Sequence, residues 1–536
     1  MIPATVPEAL CIGRPRLTAG LDRFRRIDLA GYDMVFGRLP SLSADRLIGM
    51  AEQVDLRGRG GAAFPVARKF AAVRDAARTR KRSPVVVVNG AEGEPGSAKD
   101  RMLLLRSPYL VLGGALAAAR ALDAREILVG VTDALAARSI REAAAAEPGL
   151  ASMVGVVDLP DRFVSGESGA LVNAVNGRAA LPSSARSRAS YRGAGNHPTL
   201  LSNAETFAQL AFLAMVGPEG YASAAVPAEP GTVLLTVGGT VTRPAVVEVP
   251  TGVSLGHVLG LCGAGPADGV LVGGYHGGWV PEDFAYNVPV SRAGLAAVGG
   301  TLGACVVLAL GQDSCPLGEV ARVTAYLAKE SSGQCGPCKL GLPGIARSMA
   351  ALANGSGGVD ALDATRRGAA AVRGRGACAH PDGVTRFVLS ALDVFADDLT
   401  AHLSRGGCGR PVRDYLPVPP AAGEAQLAID WTRCRGHGLC THIVPELVQA
   451  DAQGFPVMLD TPVPAWLERG ARQAVEMCPA LALRLIPASP APMPAMAQPG
   501  WLGRALSHRL GPVDHTVPDL IVSEEWIAEI SGADEE

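Results

Sequence analysis

Aromatic residues are scarce in this chain: Phe, Trp and Tyr together make up 4% of its 536 residues. Few platforms remain for stacking against nucleic-acid bases. An excess of one charge is also missing. Lys and Arg number 49 against 51 Asp and Glu, a formal net charge of −2. That balance excludes a basic nucleic-acid arm and a polybasic membrane-surface patch. Long apolar runs are lacking too. The longest, Tyr109 to Ala118 and Leu302 to Leu310, fall short of the ~20 residues that a bilayer span requires. The opening Met1-Ile2-Pro3-Ala4 has no basic stretch followed by an apolar core, so no secretory leader is expected. The chain is expected to be soluble and cytoplasmic, with no membrane span and no nucleic-acid partner.

Cysteine is well represented, and six of the eleven fall in two constellations. The first is Glu330-Ser-Ser-Gly-Gln-Cys335-Gly-Pro-Cys338, with Cys378 some forty residues later. The second is Cys434-Arg-Gly-His437-Gly-Leu-Cys440, closed by Cys478-Pro479. Such spacings hold metal ions or iron–sulfur clusters in a cytosolic protein, and a cysteine–proline ending is typical of ferredoxin loops. Cys11, Cys262, Cys305, Cys315 and Cys408 are scattered and are expected to be small buried hydrophobes. Two one-electron centres on one chain point to electron transfer.

The length suits several domains. Residues 1–44 show weak periodicity and are expected to be irregular. Residues 45–226 alternate helix and strand: a helix over Ser43–Val54, a buried strand over Val85–Val88, then helix, strand and helix to Ala145. This predicts a parallel α/β sheet. Residues 227–314 carry short Val-rich strands around a helix near Ser254–Leu261, which reads as a small α+β domain. Residues 315–410 read as a helical bundle. A linker over 411–426 precedes a small unit, 427–486, that holds the second constellation. Residues 487–536 are Pro/Ala-rich and are expected to form an extended linker and tail.

Two loops in the first domain stand out. Arg57-Gly58-Arg59-Gly60-Gly61-Ala62-Ala63-Phe64-Pro65 contains a formal G-x-G-x-x-A match. A dinucleotide fingerprint should follow a strand, and here a helix precedes it. The loop is either a helix-terminating turn or a phosphate cradle, with backbone N–H groups converging and Arg57, Arg59 and Lys69 adding charge. The second loop, Asn89-Gly-Ala-Glu92-Gly-Glu94-Pro-Gly-Ser-Ala-Lys99-Asp100-Arg101, follows a strand. Ligands of open α/β sheets bind at such junctions; the alternative is a solvated acidic turn.

These two segments, Gly166-Glu167-Ser168-Gly-Ala-Leu-Val-Asn173, Pro198-Thr199-Leu-Leu-Ser202-Asn203-Ala-Glu205-Thr206 and the first cysteine constellation occur in order. Together they resemble the NADH-binding flavoprotein subunit of respiratory NADH:quinone oxidoreductase (complex I) and the diaphorase subunits of soluble hydrogenases and formate dehydrogenases. The likeness runs from about residue 45 to about residue 405. It implies an α/β class with a Rossmann-like FMN- and NAD(P)H-binding domain, a ubiquitin-like β-grasp (SLBB-like) domain and a helical iron–sulfur bundle. By position, Gly58, Arg59, Gly60, Gly61, Lys69, Asn89, Thr199, Ser202 and Asn203 would surround FMN. Phe64, Glu92, Glu94 and Glu167 would face the nicotinamide nucleotide, NADH or NADPH.

The chain departs from that pattern. Ala91 stands for an aspartate, Phe163 for a tyrosine and Ser168 for a glutamate, while Ala72 and Arg188 lie near the positions of an aromatic pair. Losing a carboxylate weakens repulsion of a 2′-phosphate, which keeps NADPH a candidate. The family's first cluster cysteine is Ser332. The first centre is therefore 4Fe-4S with Ser332 as a ligand, 3Fe-4S on Cys335, Cys338 and Cys378, or a zinc site with His380 as fourth ligand.

Residues 427–485 resemble a single-cluster bacterial ferredoxin in an α+β fold. His437 stands where its middle cysteine would be. Cys434, Cys440 and Cys478 would hold a 3Fe-4S cluster, or a 4Fe-4S cluster with His437 as fourth ligand, which would raise its potential.

The resemblance implies an NAD(P)H dehydrogenase that passes a hydride to FMN and single electrons through one or two clusters. The acceptor would be a redox protein or a membrane cytochrome. Two other readings remain: a non-catalytic, zinc-stabilised scaffold, and a ligand-binding module using the β-grasp domain around Gly273-Gly274-Tyr275.

Overall fold

The computed structural model describes residues 7–182, 188–419, 425–445, 447–458, 463 and 467–487. The Pro/Ala-rich stretch expected from residue 487 onward lies almost wholly outside them.

Strand β1 (Ala9–Cys11) belongs to a sheet completed much later in the chain. The first complete sheet contains β2 (Val85–Gly90), β3 (Glu126–Val131), β4 (Val154–Asp158) and β5 (Thr199–Asn203). All its pairings are parallel, in the order β4-β3-β2-β5. Val85 to Val88 is a continuous apolar run because both faces of β2 are covered. Helices Lys99–Arg106, Pro108–Leu122, Ala134–Ala146 and Ala204–Ala222 contribute to the core beside it. The chain moves outward from β2 through β3 to β4, then returns to the other side of β2 as β5. That reversal is a topological switch point. The carboxyl ends of β2 and β5 meet there, with Asn89 opposite Asn203.

Strands β6 (Thr232–Gly239), β7 (Ala245–Pro250), β8 (Ala267–Val272), β9 (Gly278–Pro281) and β10 (Val306–Gly311) form a mixed sheet with β1. Its order is β1-β7-β6-β10-β8-β9. Alternation along β6 sends Val233, Leu235 and Val237 into this domain's own core, which helix Leu255–Leu261 helps to fill. Leu234 points the other way and joins the core of the first sheet.

The expectation of an irregular start is corrected here. β1 pairs in parallel with β7, and Leu29–Phe36 is a helix capped by Asp28. The organiser is Glu248 on β7, which is fully buried. Its carboxylate accepts from the backbone N–H of Arg16, Leu17 and Thr18 at 2.9–3.0 Å. It also accepts from the Thr18 and Thr232 hydroxyls. A segment ordered by one distant carboxylate carries no periodicity of its own.

Helices Pro316–Lys329, Leu342–Ala353, Gly358–Val372, His380–Val394 and Ala396–Arg405 pack around a third core. A single π-turn, Pro337–Gly341, follows Cys335. Beyond it, β11 (Ala425–Ile429) pairs with β14 (Leu483–Pro487), and β12 (Val448–Ala450) with β13 (Pro456–Met458). These enclose a small separate core that includes Leu427, Val444, Ala471 and Leu483. Among the described residues no single helix is long and apolar enough to cross a membrane. The bent pair Lys99–Arg106 and Pro108–Leu122 passes that test only as a pair, and most of its second helix is buried core.

Candidate functional site

The glycine loop lies over the switch point. It is closed by Gly58 N–H donating to the Phe64 carbonyl at 3.0 Å, and Gly61 takes φ +96°, a left-handed value that favours glycine. A β-carbon on Gly60 would sit 3.3 Å from Asn203 Cβ, so the loop backbone rests against the end of β5. Helix Val66–Arg80 places Lys69 beside the same strand. Its ammonium donates to the Leu201 carbonyl at 2.8 Å and lies 3.5 Å from Ser202 Oγ. Burial lowers its pKa. Asn89 Nδ2 donates to the Gly166 carbonyl at 2.8 Å. Gly58, Gly60, Gly61, Lys69, Asn89, Ser202 and Asn203 thus converge, and the 45%-exposed Phe64 ring stands in the loop beside them.

Two of the expected residues are not in this group. Thr199 begins β5, at the opposite end from Asn203. Its hydroxyl accepts from Ala194 N–H and donates to the His197 carbonyl. Arg59 turns inward and is 8% exposed. Its backbone N–H donates to Thr206 Oγ1, its guanidinium donates to the Thr232 carbonyl, and Glu205 lies 3.8 Å away. The partner that draws it in is part of a buried network. Lys99 contacts Asp100, Asn203 and Glu205 at 3.0–3.1 Å. Burial works against its ammonium, but Asp100 and Glu205 outweigh that and hold its pKa above the ordinary value. Sequence reasoning missed this network as a unit, although its members stand in two of the ordered motifs.

The three glutamates divide by role. Glu92 accepts from Asp100 and Arg101 N–H at 3.1 and 2.9 Å, and so caps helix Lys99–Arg106; burial raises its pKa. Glu167 caps helix Ser168–Val175 by accepting from Ala170 N–H. Glu94 crosses to the second domain, where Oε2 accepts from Tyr275 N–H at 2.9 Å. Its Oε1 is buried with no protein partner, and burial pushes its pKa up to about 8. The glycine cradle and the buried, unpaired Glu94 Oε1 each leave a polar group of a ligand something to meet.

In the bundle, Ser332 and Cys338 are buried and Cys335 half-buried, with Cys335 and Cys338 flanking the Gly336-Pro337 turn. Cys378 lies close enough to feel Cys335 and Glu167. Burial pushes Cys338 up to about 12 and raises Cys378. Thiols in such a setting ionise only when a metal offsets the charge. His380 does not face them: Nδ1 lies 2.9 Å from His276 Nε2, and Nε2 lies 2.9 Å from the Leu327 carbonyl. The Cys₃His zinc reading thereby loses its fourth ligand. Burial lowers the His380 pKa to about 4. Phe163 packs edge-on against His276 with ring centres 4.8 Å apart and also touches His380 and Tyr326.

In the last unit, Cys434, His437, Cys440, Cys478 and Pro479 line one pocket. Gly436 and Gly438 take φ +70° and +72°, which turns the loop around it. Cys478 Sγ accepts from Ala482 N–H at 3.3 Å. His442 does not line this pocket.

Three families match this chain in order. Residues 51–211 match the Nuo51 FMN-binding domain, and residues 319–402 match the NADH-ubiquinone oxidoreductase-F iron-sulfur binding region. Residues 427–485 match a 4Fe-4S single cluster domain. The chain thus carries, in order, regions that match the FMN-binding and iron–sulfur domains of the NADH-quinone oxidoreductase flavoprotein subunit and a single-cluster 4Fe-4S domain. Among relatives of this flavoprotein, an NADH-quinone oxidoreductase subunit of Mycobacterium tuberculosis is 29% identical, over 74% of this chain and 92% of its own length. The corresponding NADH-quinone oxidoreductase subunit of Escherichia coli is 27% identical, over 75% and 94%. The NADP-reducing hydrogenase subunit HndC of Solidesulfovibrio fructosivorans is 25% identical, over 78% and 86%. Among solved structures, an NAD+-reducing [NiFe]-hydrogenase in the H2-reduced state superposes with a TM-score of 0.66 at 26% identity, covering 75% of this chain and 69% of that one.

Proposed function

We propose that the chain is an NAD(P)H dehydrogenase of the diaphorase type, which delivers single electrons through iron–sulfur centres to an acceptor protein. The observation that carries this reading is the glycine loop seated on Asn203 at the switch point, with Asn89 and Lys69 alongside. Gly58, Gly60 and Gly61 leave room for backbone N–H groups to approach a ligand closely. Lys69, its charge partly desolvated, is the group for a flavin's polar edge or phosphate. Asn89 and Asn203 brace the two strand ends, their amides held by the Gly166 carbonyl and by Asp100 and Lys99. Bound FMN would supply the change from two-electron to one-electron chemistry.

Phe64 and Glu94 are assigned to the nicotinamide nucleotide, Phe64 as an exposed stacking face and Glu94 through its buried Oε1, which no protein group meets. Cys335, Cys338 and Cys378, with Ser332 at hand, would hold the first cluster. Cys434, Cys440 and Cys478, with His437, would hold the second. No side chain is required to act as acid or base.

The test is the purified full chain and its Gly60→Leu variant. The wild type is expected to carry FMN and to oxidise NADH or NADPH with an artificial acceptor. The variant should remain folded by circular dichroism and lose the flavin. Full flavin occupancy in the variant, or no flavin and no nucleotide oxidation in anaerobically prepared wild type, would defeat the proposal.

A further inference from the structure

Cys315 and Cys408 were expected to be isolated hydrophobes. Instead, the ligand atoms of Cys315, His402 and Cys408 all lie within 4.8 Å of one another. Cys315 and His402 are each 4% exposed and Cys408 is half-buried. None of the three belongs to the flavin or cluster sites.

The details are those of metal ligands rather than of filler. Cys315 Sγ lies 3.3 Å from His402 Nε2. A tetrahedral zinc ion, with Zn–S of about 2.3 Å and Zn–N of about 2.0 Å, sets its sulfur and nitrogen ligands about 3.5 Å apart. His402 Nδ1 lies 3.2 Å from the Leu352 carbonyl. A carbonyl can only accept, so the proton sits on Nδ1 and the Nε2 lone pair faces the sulfur. Metal-bound histidines are usually oriented in this way. Cys315 also accepts from Gly318 N–H at 3.3 Å, at the start of helix Pro316–Lys329. Arg410 stands two residues beyond Cys408. Its guanidinium is itself paired with Asp268 and Asp398, so its charge is balanced locally.

We infer that Cys315, His402 and Cys408 bind one zinc ion, with a solvent molecule as the fourth ligand. Two thiolates and one imidazole suit this borderline-soft cation. Its place defines its task. Cys315 caps the first helix of the bundle, His402 lies in the last turn of the final one, and Cys408 follows that helix. The ion would join the two ends of the bundle, where Cys315 N–H already meets the Pro411 carbonyl at 2.8 Å.

The experiment uses the full chain, produced with zinc in the medium and purified anaerobically without chelator. Elemental analysis should give one zinc per chain, lost in Cys408→Ser and in His402→Ala and retained in Cys335→Ser and Cys434→Ser. Zinc-edge X-ray absorption on the wild type should show two sulfur and two nitrogen or oxygen neighbours, a readout that does not depend on how any variant folds. The bound flavin should be unchanged in Cys408→Ser, which separates this result from the fate of the dehydrogenase reading. No zinc in the wild type, a three- or four-sulfur shell, zinc retained in Cys408→Ser, or a Cys315–Cys408 disulfide in its place would each overturn the inference.

Discussion

Burial moves the Glu94 carboxyl from an ordinary 4.5 to about 8, and the shift has a sign that can be measured. The folded chain holds this proton across a window in which the unfolded chain has lost it. Stability therefore falls as pH rises from about 4.5 to about 8 and levels off above that. The slope is at most about 1.4 kcal/mol per pH unit. Glu94→Gln keeps an acceptor for Tyr275 N–H and cannot ionise. In flavin-free protein the variant should gain on wild type steadily through that window and differ little at pH 4.5. A difference that stays flat with pH would show that Glu94 titrates as an ordinary carboxylate. At this scale the sequence was uneven. The type of each residue near the switch point was legible, because the motifs carry it. Its direction was not: Arg59 and Thr199 stand in the right motifs yet point elsewhere, because Glu205 and Ala194 hold them. Those partners lie far off in sequence or act through backbone atoms.

Helix Lys99–Arg106 shows how an element can depend on a distant side chain. Its N-cap residue is Ala98, which makes no side-chain hydrogen bond, and Glu92 supplies the missing acceptor. Glu92→Ala leaves Asp100 and Arg101 N–H without it. The loss should be ~1–3 kcal/mol in the unfolding transition of the first domain, seen as a lower urea midpoint with little change in slope. An unchanged midpoint would mean that solvent caps the helix equally well. Helices with their own caps were easier to read: Ser43 before Ala44–Gln53 and Ser254 before Leu255–Leu261 announce them. The continuous valine run of β2 was equally plain. Helix Val66–Arg80 went unread because Pro65 offers no capping oxygen and glycines crowd its entry.

Across the whole molecule the order of cofactor sites in sequence suggests a direction. The ferredoxin unit has its own core and its own cysteine pocket, so its removal should leave the rest intact. A chain ending at residue 419 is expected to keep reducing a small artificial acceptor with NADH or NADPH and to lose reduction of an electron-accepting protein. Undiminished transfer to that protein would place the ferredoxin off the route. The order of the FMN-binding, iron–sulfur and single-cluster regions was legible because ordered motifs and cysteine spacings mark them. The closing of the bundle by Cys315, His402 and Cys408 was not, since three residues spread over so much chain make no motif.

Glu248 also sets a schedule. A ribosome releases Arg16, Leu17 and Thr18 long before it has made the carboxylate that receives their N–H groups, and β1 before it has made β7. At ~5–20 residues per second the wait is on the order of tens of seconds. Residues 9–18 must spend that time without these partners, open to proteases and chaperones, while the parallel sheet behind them assembles. Nascent chains stalled before Glu248 emerges should be cleaved readily at Arg14 and Arg16, and chains stalled well beyond it should resist. Early resistance would mean that this segment finds its place without the carboxylate.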